Sequence, residues 1–323
     1  SLHDALPISS LWKSNASNGM SHIELSRNYD LIVIAPASAN FLAKLTHGLA
    51  DDLLSSLCLA RTCPIALAPA MNVHMWTNEA TQRNVSQLKK DGVLFFGPDS
   101  GEQACGDVGI GRMMDAEELF RSIQNYLTPK LLKNKRLLIT SGGTIEMIDD
   151  VRGITNLSSG NMGAAIANTA ESMGASVTLI SSTQQIFSEN INVIHTSDAH
   201  SMHQAVLKHI NNQDVFISVA AVSDYKPKEK FKGKLKKSDS DMTLQLTPTI
   251  DILKEIGLSK NKIFKVGFAA ESENLIENAQ KKLKEKNLDL IVANLIHESM
   301  GLEDTKISIV DKNNVIHVPK LNK

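Results

Sequence analysis

Asn72 stands in the run PAMNVHMW (69–76), which directly follows the apolar stretch 65–68. Loops at the carboxyl ends of strands are where open α/β sheets hold ligands. An asparagine amide there can hydrogen-bond a carboxylate or another amide, and Met71, Met75 and Trp76 can pack on a flat ring. The same residue types also make an ordinary loop over a core. Cys105 sits in the glycine-rich run ACGDVGIGRM (104–113), whose glycines let a loop fold over a ligand and open again. A single cysteine is more often a small hydrophobe than an acid. That reading suits Cys58 inside an apolar helix, whereas the polar neighbours of Cys105 leave both readings open. His22, ahead of Ile23 and Leu25, reads by itself as a surface histidine.

In the second half, TSGGT (140–144) ends an apolar stretch and NLSSGNMG (156–163) runs straight into a helical pattern. A Gly/Ser-rich turn at a helix N-terminus offers free N–H groups and a positive dipole end to a phosphate. Neither run is a GxGxxG fingerprint or a P-loop, so each is equally an ordinary turn. AAVSDY (220–225) closes another apolar stretch, where Asp224 could hold a ribose, a base or a metal, or cap a helix. The basic run KFKGKLKK (230–237) is either a solvated face or the partner of a nucleotide triphosphate. Lys282 and Lys286, four residues apart, share one helix face, which is ordinarily a wet one.

A chain of 323 residues has room for two domains, and 42% hydrophobic with 21% charged residues is a globular composition. A net charge of −1 supplies no global field for nucleic acid or anionic lipid, so an anionic ligand must be held by local groups. No apolar run approaches the roughly 18 residues of a membrane span. The N-terminus does not read as a signal peptide, and three cysteines are too few for a disulfide framework, so a cytoplasmic setting is expected.

The first half alternates predicted strands at 31–35, 65–68 and 93–96 with helices. Ser38 caps a helix to about 47, Asp51 or Asp52 one to about 61, Thr77 one stopping at Gly92, and Asp115 one over 116–127. This is a doubly wound α/β pattern. The basic, proline-bearing stretch 128–135 reads as a linker. Strands then fall at 136–140, 176–181, 215–219, 264–268 and 290–293, with helices at 164–173 and 273–286, giving a second α/β domain.

Taken in order, SHIELSRNYDLIVIAPASANFLAKLTHGLADDLLSSL, PAMNVHMW and ACGDVGIGRM resemble the FMN-dependent cysteine decarboxylases over about residues 20–127. The likeness is closest to the phosphopantothenoylcysteine decarboxylase half of the bifunctional coenzyme A enzymes, with a flavodoxin-like fold. The resemblance implies His22 as catalytic base, Asn72 as ligand of the substrate carboxylate with Met71 beside it, Cys105 as proton donor, and Ser38 and Asn40 as flavin contacts. FMN is then the expected cofactor. Direct loss of carbon dioxide from a cysteine would leave an unstabilised carbanion, and oxidation of the thiol to a thioaldehyde supplies the missing electron sink.

TSGGTIEMIDDVRGITNLSSGNMG, AAVSDY, KLKK, TPTIDIL, VGFAAES and IVAN likewise resemble the phosphopantothenate–cysteine ligase half of the same family, over about residues 134–311. That implies a Rossmann-like fold, a homo-oligomer, and activation of phosphopantothenate by CTP before cysteine displaces CMP. By the resemblance, Asn156 with Arg152 handles the acyl-cytidylate and Lys234 helps to form it. CTP contacts fall on Ser218, Val219, Ala220, Asp224, Lys234, Thr249, Ile250, Asp251, Ile252, Phe268, Lys282 and Lys286. Mg²⁺ is expected with the triphosphate, its ligands unassigned.

Two doubly wound domains are therefore expected: decarboxylase at 21–128 and ligase at 134–323, with 1–20 unassigned. Partners are small molecules, with no nucleic acid and no membrane. Three departures stand out: the family's first βα unit is not recognisable ahead of His22, its SSGKMG lysine is Asn161 here, and its last helix would lie beyond Lys323. The competing reading is a non-catalytic flavin- or nucleotide-binding relative of the same fold.

Overall fold

The computed structural model describes residues 29–103, 106–185, 187–236, 241–295 and 304–322. His22 and Cys105 lie outside them. The chain divides into two compact units, residues 1–127 and 128–323.

In the first unit, β1 (Ile32–Ala37), β2 (Ile65–Pro69) and β3 (Leu94–Phe95) form a parallel sheet in the order β1-β2-β3. Every position of β2 is buried, as expected of a parallel strand covered on both faces. Around it run α1 (Ala39–Thr46), α2 (Leu53–Ala60), α3 (Val73–Thr77), α4 (Glu79–Lys90) and α5 (Ala116–Leu127). Ser38 Oγ caps α1 by accepting from the Phe41 N–H at 3.2 Å, and Asp52 forms a capping box with Ser55 on α2. α4 starts one residue later than the sequence suggests. Thr77 ends the short α3, and Asn78 caps α4 by accepting from the Ala80 N–H. Leu42, Cys58, Ile65, Leu67 and Leu88 fill the core. The hairpin of β4 (Asp99–Glu102) and β5 (Val108–Arg112) is not an expected element, because DSGE has no apolar residue and the glycines of VGIGR read as a loop.

The second unit is built on β6 (Arg136–Ser141), β9 (Ser176–Ser181), β10 (Asn192–His195), β11 (Val215–Ser218), β14 (Phe264–Glu271), β15 (Leu290–Leu295), β16 (Asp304–Val310) and β17 (Val315–Asn322). They form one eight-stranded sheet in the order β10-β9-β6-β11-β14-β15-β16-β17. The first six of these are parallel, β16 pairs antiparallel with β15, and β17 pairs antiparallel with β16. The chain builds outward from β6 to β10, then returns to start again at β11. The carboxyl ends of β6 and β11 are therefore a topological switch point, where such sheets open a crevice.

Alternate side chains serve opposite faces of the sheet. Leu137, Ile139, Val177 and Leu179 cluster with Ala167 and Ala170 of α6 (Asn161–Ser172). Leu138, Ile180 and Phe216 cluster with α7 (Ala199–His209), α8 (Ile252–Leu258) and α9 (Leu275–Glu285). Two small hairpins, β7 (Ile145–Met147) with β8 (Gly153–Thr155) and β12 (Tyr225–Pro227) with β13 (Leu246–Pro248), stand apart from the main sheet. Among the described residues, no helix is long and apolar enough to cross a membrane.

Candidate functional site

At the switch point of the second unit, Gly142 turns the chain after β6 with a positive φ of 87°, a conformation that favours glycine. The buried Ser141 Oγ donates to the Gly160 carbonyl at 3.1 Å, which fixes the NLSSGNMG turn over the end of β6. α6 begins at Asn161, three residues before the periodicity suggests. Gly163, a poor helix former, sits in its first turn because a Cβ there would lie 2.5 Å from Ser141 Cβ. The cost of glycine inside a helix is offset by close approach of helix to strand.

Two cavities open beside this turn. The first, of about 230 Å³, is lined by Gly142, residues 157–163, Val219–Ala221 and the far wall of Phe268, Val292 and Asn294. The second, of about 220 Å³, is lined by Ser218, Ala220–Asp224, Thr249–Leu253, Phe268 and Lys286. Ala220, Ala221 and Phe268 belong to both. Thr249 ties the second cavity together, its N–H donating to the Asp224 carbonyl at 2.9 Å and its hydroxyl to the Ser223 carbonyl. Among the described residues nothing pairs with the Asp224 carboxylate, and no group of three or more His, Cys, Asp or Glu side chains could hold a metal.

Of the residues singled out from the sequence, Ser218, Ala220, Asp224, Thr249, Ile250, Asp251, Ile252, Phe268 and Lys286 line the second cavity and Val219 the first. Asn156 Nδ2 donates to the Ala221 and Val222 carbonyls at 3.3 and 3.1 Å, beside the wall the cavities share. The lysines of α9 do not act as one pair. Lys282 binds Glu271 at 2.6 Å, and Lys286, the C-cap of that helix, binds Asp251 at 2.8 Å. Lys234 is exposed and lines neither cavity.

Arg152 is held by Asp149, at 2.9 Å from Nε and 2.6 Å from Nη2. Asp149 is fully buried and also accepts from the N–H groups of Val151, Arg152 and Leu235. The Arg152 guanidinium, followed by those backbone donors, holds its carboxyl well below the usual carboxylate range. Asp149 was not singled out from the sequence. The pair Asp149-Asp150 reads as a polar turn, and only burial distinguishes the two.

In the first unit, the PAMN segment is stitched to the β4–β5 hairpin. The Met71 N–H donates to the Gly111 carbonyl at 2.9 Å and the Val73 N–H to Gln103 Oε1 at 2.9 Å. Asn72 Nδ2 donates to Asp107 Oδ2 at 2.5 Å, while its Oδ1 accepts from the His74 N–H at 2.8 Å. At the carboxyl end of β1, Ala35, Pro36 and Asn40 are exposed although Ala37 is buried. Ser38, next in the chain, uses its hydroxyl on the helix cap.

Residues 2–128 match the flavoprotein family, and residues 132–323 match the DNA/pantothenate metabolism flavoprotein C-terminal domain. The coenzyme A biosynthesis bifunctional protein CoaBC of Vibrio cholerae is 45% identical over 293 residues, covering 89% of this chain and 73% of that protein. The protein of the same name from Bacillus subtilis is 44% identical over 288 residues, covering 88% and 71%. A crystal structure of the C-terminal domain of a coenzyme A biosynthesis bifunctional protein CoaBC matches with a TM-score of 0.50 at 40% identity, covering 58% of this chain and 87% of that one. The chain belongs to the family of bifunctional enzymes of coenzyme A biosynthesis that join a phosphopantothenoylcysteine decarboxylase to a phosphopantothenate–cysteine ligase.

Proposed function

We propose that the ligase reaction takes place across the wall shared by the two cavities of residues 134–323, with phosphopantothenate in the first and CTP in the second. The observation that carries this reading is the common wall of Ala220, Ala221 and Phe268, which puts the ends of two ligands within reach of each other. A carboxylate is a poor acyl donor, and holding it beside the α-phosphate of a nucleotide converts activation into an effectively intramolecular step. The first cavity suits the phosphorylated substrate because Ser158, Ser159 and the start of α6 present N–H groups and a helix N-terminus to an anion. The second suits the nucleotide, with Ser218, Asp224 and residues 249–252 around the base and ribose and Lys286 at the phosphates.

Pyrophosphate leaves as charge builds on the phosphates, so cations are needed there. Lys234, Lys282 and Lys286 supply them, and Lys282 and Lys286 must first exchange Glu271 and Asp251 for phosphate oxygens. Mg²⁺ would accompany the triphosphate and offset charge on its oxygens. Asn156, anchored to the Ala221 and Val222 carbonyls with Arg152 nearby, orients the acyl-cytidylate for attack by the cysteine amine.

Residues 21–128 form the decarboxylase half. Ser38 and Asn40 would hold FMN, which when bound would accept two electrons from the substrate thiol and return them after carbon dioxide is lost. Asn72 fixes the substrate carboxylate with Met71 beside it, His22 takes the thiol proton, and Cys105 returns a proton to the product. The enzyme works in the cytoplasm as a homo-oligomer.

Incubating the chain with phosphopantothenate and CTP, then adding cysteine, tests the main reading. Pyrophosphate should appear before cysteine is added and should require phosphopantothenate. Absence of pyrophosphate, or equal release with CTP alone, would overturn it.

A further inference from the structure

We propose that Asp149 is a positioning residue of the ligase reaction, clamping the loop that carries Lys234 to the turn that carries Arg152. The inference rests on the assignment of Lys234 to the nucleotide step. Both chain neighbours of Lys234 are tied to the 148–152 turn. On one side, the Gly233 N–H donates to Asp150 Oδ2 at 2.9 Å, and the Asp150 N–H reaches the Gly233 carbonyl at 3.4 Å. On the other, the Leu235 N–H donates to Asp149 Oδ2 at 3.1 Å, and its carbonyl accepts from Arg152 Nη2 at 2.6 Å. Two further contacts complete the seam: the Phe231 N–H to the Ile148 carbonyl at 2.9 Å, and Lys230 to Asp150 at 3.6 Å.

Lys234 itself takes no part, and among the described residues its ammonium group has no partner. The clamp therefore fixes the backbone on both sides of Lys234 and leaves its side chain free to act. The loop needs such a device. It carries Lys228, Lys230, Lys232, Lys234 and Lys236, and a run of like charges repels itself and favours extended, mobile chain.

Asp149 is the buried member of the clamp, and it bonds both Leu235 on the lysine loop and Arg152 on the turn. Its two oxygens accept from Val151, Leu235 and both the main chain and the side chain of Arg152. A buried carboxylate is tolerated only where its oxygens are met by donors, and here they are. An asparagine of the same shape would turn an N–H group toward those donors, opening the seam from inside.

The test uses the full chain and compares D149N, K234Q and the double variant in CTP-dependent pyrophosphate release. D149N should lower kcat about tenfold or more and leave KM for phosphopantothenate within about twofold. The double variant should be no slower than the slower single variant, because residues acting as a unit are not additive. Wild-type kcat in D149N, or losses that multiply in the double variant, would overturn the proposal. Should D149N fail to fold, hydrogen exchange on the unaltered chain decides: the Leu235 amide should exchange about tenfold or more slowly than that of Lys234, and equal rates refute the clamp. No pyrophosphate from the unaltered chain would defeat the assignment of Lys234 to CTP and leave the exchange rates to judge the clamp alone.

Discussion

Replacing Gly163 by alanine probes the contact that sets the first cavity. An added Cβ would lie 2.5 Å from Ser141 Cβ and 3.2 Å from Ser141 Cα, where carbon atoms ordinarily keep about 3.5–4.0 Å. α6 must therefore move outward by roughly 1 Å, or β6 must yield, and Ser141 is fully buried. Overpacking of this kind costs about 1–3 kcal/mol. Loss of the Ser141 Oγ bond to the Gly160 carbonyl adds about 1 kcal/mol, and the better helix propensity of alanine returns about 1 kcal/mol. A net loss of about 1–3 kcal/mol lowers the melting temperature of a unit this size by roughly 2–12 °C. Because residues 157–163 line the first cavity and not the second, KM for phosphopantothenate should rise more than KM for CTP. Thermal unfolding and pyrophosphate kinetics report both effects. S141G/G163A, which removes the obstructing side chain, should be more stable than G163A. A G163A protein with an unchanged melting temperature and both KM values intact would refute the reasoning.

N156D sets a carboxylate against the Ala221 and Val222 carbonyls and loses two hydrogen bonds, about 1–3 kcal/mol together. Rapid-quench analysis should find cysteine amide formation slowed and pyrophosphate release largely kept; equal loss of both steps would remove Asn156 from the second step. N161K restores a cation to the anion turn, where Asn161 Oδ1 now accepts from Gln185 Nε2 at 2.7 Å. KM for phosphopantothenate should fall about tenfold, less so at high salt, and no change would argue against a phosphate at that turn. In the first unit, the Ser55 N–H and then Lys44 lower the Asp52 carboxyl to about 2. A depressed carboxyl gives stability that is complete above its unfolded value, near 4, and lost as pH falls toward 2. With the side chain 45% exposed, solvent screening limits this to about 1 kcal/mol. Urea unfolding across pH 4 to 2 should show a loss about 1 kcal/mol larger in the unaltered chain than in D52N, and equal losses would refute it.

The long elements were legible because their signals are local. The apolar run 176–181 is β9 from end to end, and Ser38 and Asp52 cap the helices their chemistry suggests. The small hairpins were not legible, since three-residue strands carry no measurable periodicity. α6 was placed late because helix-poor Gly163 falls where only tertiary packing accounts for it. Among the site residues, the segments around the second cavity could be named from motif order. The partners of Lys282 and Lys286, eleven and thirty-five residues away in Glu271 and Asp251, have no signature in the chain, nor has the burial that separates Asp149 from Asp150.

A partition that serves two chambers also links their thermodynamics. Ala220 and Ala221 are too short to rearrange, so the Phe268 ring is the adjustable member of the lining that the chambers have in common. An occupant that shifts this ring on one side alters the lining met by the other. The occupants cannot then have independent affinities, and the factor by which either one alters its neighbour's dissociation constant must be returned unchanged when the order of addition is reversed.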